Sequence, residues 1–394
     1  MIGNYNLIIR FGDAIVPFST SVLRELTIIQ DMNKLLPEFR FRMLDATGAI
    51  THVVPFDQNV NKVQFEFAQD YETKDINLFE FSVFTREPGA GQSNPSTEYD
   101  ISGLLDVTKL FSPDYSRGLP GSIKTTLELL ALEELGVTGV EVSSGLDYEK
   151  TLIQPTWTNA QLLNKLKEYL IGRNGEYGYK CFIKNYQYKK IFVFKSISEM
   201  IKNPISYKFI LNDMQYQDQL PIFEYYIFDN YKLYGVFGTR TQSYSYFNYE
   251  TSQYIRNTEV VEDYISLSDF YLIDKNDSMD SNEINDTGRS NDFTSDFKGK
   301  IKSSFGNRLL GLTKMWITTV GLPNAVPGQT IQVFFPHGAT EGGENLYSFQ
   351  YSGYWLVERV VHNFGDVFLT KLLLTRHGLD TDKSTSLLAA TSKV

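Results

Sequence analysis

Apolar and polar residues alternate over several short stretches near the start of the chain, and a period of two puts successive side chains on opposite faces of a strand. The stretches are Tyr5 to Phe11, Leu23 to Ile29, Phe39-Phe41-Met43 against Arg40 and Arg42, Val63-Phe65-Phe67, and Phe79-Phe81-Val83. Asp45-Ala46-Thr47-Gly48 has the composition of a hairpin turn, and the Pro88 to Pro95 loop ends the run. The pattern predicts one small barrel or sandwich.

After Leu119-Pro120-Gly121 the period lengthens. Leu127, Leu129, Leu130, Leu132 and Leu135 predict a helix ending at Gly136. A second helix is predicted from a cap at Thr158 or Asn159 to Gly172, with Trp157 as a hydrophobic staple and Leu162, Leu163, Leu166, Tyr169 and Leu170 on one face. Tyr177 to Ile183 and Lys190 to Ser196 then flank Asn185-Tyr186 as a hairpin. From Ile222 to Tyr249 the chain is rich in Tyr and Phe, which predicts at least two strands whose rings pack in a core or an interface. Asp274 to Asp296 is polar and is expected to be a flexible loop, because it has little apolar surface to offset the entropy of ordering. Phe305 to Met315 is predicted as a short helix. Trp316 to Thr319, Thr330 to Phe335, Tyr354 to His362 and Phe368 to Thr375 are predicted strands, and a polar tail begins at Asp380.

Composition sharpens this picture. With 394 residues, 42% of them hydrophobic, the chain can bury a large core in two or more domains, and its 28 Phe and 25 Tyr favour sheets. The lone cysteine, Cys181, cannot form a disulfide within the chain, so assembly in a reducing cytoplasm is expected. The start, MIGNYNLIIRFGD, lacks a basic region followed by an apolar core, and no window approaches the roughly 18 apolar residues of a membrane span. No integral membrane segment is expected. A net charge of -10 without a basic run argues against a groove that grips nucleic acid, although an acidic wall suits a conduit along which DNA slides.

Candidate chemistry is sparse. His52, His337, His362 and His377 have no metal-ligand spacing and are read as structural, His362 as a satisfied histidine at a strand end. Gly89-Ala90-Gly91-Gln92-Ser93 lacks the third glycine of a phosphate-binding loop, and Asp277, Asp280, Asn282 and Asp286 lack the spacing of a calcium loop. No nucleophile elbow and no pair of carboxylates isolated among apolar residues stands out. No catalytic, cofactor-binding or metal-binding residue is assigned, and the chain is read as not an enzyme.

The order of features near the end is more specific: Gly321-Leu322-Pro323, Val326-Pro327-Gly328-Gln329-Thr330-Ile331, then Gly353 to Phe364 (GYWLVERVVHNF), then Leu369 to Arg376 (LTKLLLTR). This resembles the second barrel of the baseplate hub proteins of contractile-tailed phages, the late control protein D family, and the hub part of the VgrG spike. The helix Trp157 to Gly172 with the Tyr177 to Ser196 hairpin looks like that family's insert. Leu26-Thr27-Ile28, Phe39 to Leu44 and Val63 to Phe67 are similar to its first barrel. The resemblance implies a β-rich α+β fold with two tube-forming β-barrel domains and an α+β insert between them. Its boundaries would be 1–115 for the first barrel and 116–205 for the insert, then 206–273 with 300–379 for the second barrel and its linking strands, leaving 274–299 as the polar loop and 380–394 as the tail. Val326 to Phe335, Tyr354 to Thr375 and Leu23 to Met43 would build the tube walls.

The same resemblance implies a homotrimer whose two barrels per chain present six similar units to a sixfold tail tube. Its partners would be the central spike protein, the tail tube or tube-initiator protein, other baseplate proteins and the tape measure protein, with DNA only as passing cargo and the virion tail as its location. No cofactor is expected. Two other readings compete: a carbohydrate-binding tail or surface adhesin, suggested by the aromatic content and acidic loops, and a hydrolase hidden in Pro120 to Ile205.

Overall fold

The computed structural model describes residues 5–11, 14–16, 23–45, 62–68, 76–88, 97–107, 109–173, 175–211, 219–229, 241–248, 252–260, 282–285, 299–300, 303, 307, 310, 313–341, 344–347 and 351–376. The first strands are β1 (Asn6–Phe11), β2 (Ala14–Val16), β3 (Leu23–Asp31), β4 (Glu38–Asp45), β5 (Lys62–Ala68), β6 (Asn77–Pro88) and β7 (Thr97–Leu105). They pair in the order β3-β4-β7-β6-β5-β1-β2. Alternation decides the faces: Phe39, Phe41 and Met43 are buried while Arg40 and Arg42 are not. β4 and β5 stand three strands apart, roughly 14 Å at ordinary strand spacing, yet the Phe39 and Phe65 ring centroids are 5.1 Å apart. The sheet therefore curls around its aromatic core. Both edges of β4 are taken, by β3 and β7; Ala46 to Gly48 of the expected Asp45 to Gly48 hairpin turn lie outside the described residues.

The middle stretch begins with β8 (Tyr115–Leu119), α1 (Ile123–Leu129), β9 (Gly139–Val142), β10 (Leu152–Trp157) and α2 (Asn159–Tyr169). It continues with β11 (Tyr179–Tyr186), β12 (Lys189–Ser196) and α3 (Ile197–Ile201). α1 runs into a π-helical turn over Leu130–Glu134, and its buried positions are Ile123, Leu127, Leu130, Ala131 and Leu135. Leu129 and Leu132 fall on the opposite face and are exposed, which narrows the expected leucine stripe. α2 starts at Thr158 with a capping box to Gln161 and buries Leu162, Leu163, Leu166 and Tyr169. The β11–β12 hairpin turns at Gln187-Tyr188, two residues beyond Asn185-Tyr186, and Gln187 takes the positive φ of 56°. β12 also pairs parallel with β9.

The last stretch contains β13 (Ile205–Leu211), β14 (Leu220–Asp229), β15 (Thr241–Asn248), β16 (Gln253–Val260), β17 (Asn282–Asn285) and β18 (Thr313–Val320). After these come β19 (Thr330–Phe334), β20 (Pro336–Glu341), β21 (Glu344–Tyr347), β22 (Gly353–Phe364) and β23 (Phe368–Arg376). Six of them close into a barrel in the order β19-β13-β14-β18-β23-β22, with β22 pairing back onto β19. Its interior holds Phe209, Ile317, Ile331, Val333, Trp355, Val357 and Leu372. Two expectations change here. Thr313 to Met315 belongs to a strand where a helix was expected, since it pairs with both β14 and β23. Asn282–Asn285, expected within a loop, forms β17 parallel to β15, because backbone pairing with a neighbour needs no apolar side chains. Asn307 and Leu310, the other described residues of Phe305 to Met315, are helical, as expected. The rest of that stretch, most of 274–299 and the tail from Asp380 lie outside the described residues.

Candidate functional site

One strand belongs to both β-structures. Gly353 to Leu356 of β22 pair with β19 inside the closed barrel, whereas Arg359 to Phe364 pair with Asp31 to Leu26 of β3. A bulge between Val357 and Arg359 separates the two segments. A bulge inserts an extra residue and increases local twist, so a strand can leave one curved surface and join another there. The strands expected in the two walls, β3 and β4 on one side and β19, β22 and β23 on the other, are thereby joined in a single 13-stranded sheet.

The outward face of this sheet is polar across the seam. Thr27 lies opposite Asn363 on one side and Arg40 on the other, and Arg40 pairs with Asp100 at 2.6 Å. Lys62 reaches Glu80 and Asp106 at 3.0 and 2.7 Å, and Arg10 reaches Glu66 at 2.9 Å. Each such exposed pair contributes little, about 0–1 kcal/mol; together they leave this face of both signs and well solvated.

Beneath the seam the core is aromatic. His362, Phe364 and Phe368 from the C-terminal hairpin meet Phe67 of β5, with Phe67 and Phe364 centroids 4.8 Å apart in an edge-on arrangement. His362 is interior to the strand and fully buried, not at a strand end. Its Nδ1 lies 3.4 Å from the Thr370 hydroxyl, and its Nε2 has no partner among the described residues, so the expectation of a satisfied histidine holds for one nitrogen only. Burial among these rings lowers its pKa to about 3, which keeps the imidazole neutral. His52 and His377 lie outside the described residues, as do the side chain of His337, the Gly89 to Ser93 loop and Asp277, Asp280 and Asp286.

Two polar clusters tie the three stretches of chain together, and neither was anticipated. The first is a chain of amides: the Asn185 backbone N–H donates to Gln30 Oε1 at 2.8 Å, and Asn185 Nδ2 donates to Asn77 Oδ1 at 2.8 Å. Asn77 Nδ2 in turn donates to the Pro323 carbonyl at 2.7 Å. The second surrounds the bulge. Asp31 accepts from Arg359 at 2.6 Å and from the Asn33 backbone at 2.8 Å, while Glu358 accepts from Lys314 and from Asn33 Nδ2, both at 2.8 Å. Lys180 of β11 donates to Asn33 Oδ1 at 2.7 Å. The signal was present in the sequence as charges interrupting apolar strands, Asp31 after Ile28-Ile29 and Glu358-Arg359 within Trp355 to Val361. Nothing local says that these charges meet.

Elsewhere, Cys181 is buried and its thiol is pushed up to about 12, so it is an unreactive core residue. Glu176, raised by burial and by the charge of Glu199, fits against Gly145 and Gly172, where added methyl groups would collide with it. Among the described residues no group of three or more His, Cys, Asp and Glu side chains could hold a metal ion, and no helix is long and apolar enough to cross a membrane. On the aromatic strand β14, Phe223, Tyr225, Tyr226 and Phe228 are all exposed, with Tyr226 61% accessible, so of the expected core or interface packing these rings do not take the core part.

No family model and no curated protein matches the chain. Solved structures do share its fold. A tail protein from Neisseria meningitidis MC58 superposes with a TM-score of 0.56 at 12% identity, covering 96% of this chain and 99% of the other. The 43 kDa tail protein of prophage MuSo2 from Shewanella oneidensis superposes at 0.60 with 8% identity, covering 95% of this chain and 98% of its own.

Proposed function

We propose that this chain, which has the fold of phage tail proteins, is a structural baseplate hub of a phage or phage-like tail. Three copies form a ring that joins the tail tube to the central spike and conducts DNA or cargo during ejection. The observation that carries this reading is the shared strand β22. It fixes a curled sheet and a closed barrel side by side in one chain, so three chains can present six wall units to a sixfold tube. Closed rotational symmetry then satisfies every head-to-tail contact without leaving a growing end.

On this reading the spike, the tube or tube-initiator protein and neighbouring baseplate proteins are the partners, and the tape measure protein is a further one. The protein resides in the virion tail after assembly in the host cytoplasm, the chain is not an enzyme, and the net charge of -10 suits a lumen that DNA crosses without adhering. The domain limits stay as 1–115, 116–205, and 206–273 with 300–379. The exposed rings of β14 favour a second reading, a glycan-binding adhesin, since Tyr and Phe faces can stack on sugars.

Single-particle electron microscopy of the purified chain, alone and with the neighbouring spike protein, separates the two. The hub reading expects a threefold ring with a pseudo-sixfold wall and an open lumen. A compact monomer that stays monomeric with the spike protein sinks it and leaves the adhesin.

A further inference from the structure

The polar cluster at the bulge borders a cavity of about 220 Å³ between the two β-structures and the α/β stretch. Lys167, Lys180 and Lys314 contribute to its wall, together with the carboxylate residues Glu168 and Glu358. The carboxylates nearest Lys180 are already committed. Glu358 accepts from Lys314 through both oxygens and also from Asn33, and Asp31 holds Arg359 and the Asn33 backbone.

Among the described residues Lys180 has one hydrogen-bond acceptor, the amide oxygen Asn33 Oδ1, although an ammonium group has three N–H donors and this residue is only 8% exposed. Lys167 forms no ion pair with a described residue. Asn307 and Leu310 complete the described wall and carry no charge. A buried cation whose neighbouring carboxylates, Glu358 and Asp31, are shared with Lys314 and Arg359 is costly. We propose that this cavity is a binding site for a small oxyanion of the phosphate class, held by Lys180 and Lys167, which closes the joint between the two β-structures.

The electrostatics agree. Burial lowers the Lys180 pKa to about 8; Glu358 and Asp31 oppose that fall, and Lys167 and Lys314 add to it. Among the described residues Glu168 on α2 and Arg359 on β22 are the further charged groups beside the site. A bound anion would hold Lys180 protonated, so its affinity should weaken as pH rises through about 8. The site does not depend on the hub reading.

The test is thermal unfolding of the full chain in millimolar inorganic phosphate against sodium chloride of equal ionic strength, because phosphate at high concentration stabilises any protein by exclusion. The wild type should gain a saturable few degrees in Tm that diminishes at pH 9, and Lys180→Met should abolish the gain while still unfolding cooperatively. Lys167→Met, a half-buried position that should fold normally, should weaken half-saturation several-fold. No saturable gain in the wild type, or an undiminished gain in both variants, overturns the proposal.

Discussion

Gly103 sits on β7 where β6 bulges between Val83 and Thr85, and a methyl group there would lie 2.1 Å from the Ser82 carbonyl oxygen and 2.6 Å from Cε1 of Phe39. Backbone occupies one side and a packed ring the other, so neither yields cheaply. Gly103→Ala should cost about 1–3 kcal/mol, read as a lower denaturation midpoint at unchanged slope. His362 makes a pH prediction. Its folded pKa of about 3 lies below the ordinary 6.5, so between those values the unfolded chain binds a proton that the native state refuses. Stability must therefore fall as pH drops from 6.5 towards 3. Replacing His362 with Leu should flatten that part of the stability curve, measured by urea unfolding at successive pH values.

At the scale of elements, α2 was readable in advance because everything that makes it is local: the Thr158 cap, the Gln161 side chain that accepts from the Thr158 backbone N–H, and one apolar face. Thr158→Ala should cost about 1 kcal/mol in chemical denaturation and leave the fold intact. The strands were equally legible from their alternation, but their partners were not. Nothing near β4 says that β7, more than fifty residues on, occupies one of its edges. Polar β17 was read as loop for the converse reason, since its order comes from a neighbouring backbone.

At the scale of the molecule, β22 and the charges at its bulge couple the two β-structures. Asp31 is 4% exposed and binds Arg359 across the seam. Removing one member of a buried pair leaves the other uncompensated, typically costing about 3–5 kcal/mol, and the half-exposed Arg359 places this case at the lower end. Differential scanning calorimetry should show one cooperative transition for the wild type. Asp31→Ala should lower it and separate it into two, because the seam weakens while the Phe67 and Trp355 cores on either side remain.

By itself the sequence determined where most of the strands and the helix α2 form and which of their residues face a core, because each of these follows from spacing over a few residues. It also carried, through ordered but degenerate patterns, the likeness to a tail-hub architecture. Only the tertiary structure decided that β22 serves two β-structures, that Lys180, Asn33, Asp31 and Glu358 converge on one joint, and that the rings of β14 are exposed. Those contacts join residues as far apart as Asn33 and Glu358, 325 positions along the chain. Pairings at that range are selected by the closing of the whole sheet, and no local pattern of side chains encodes them.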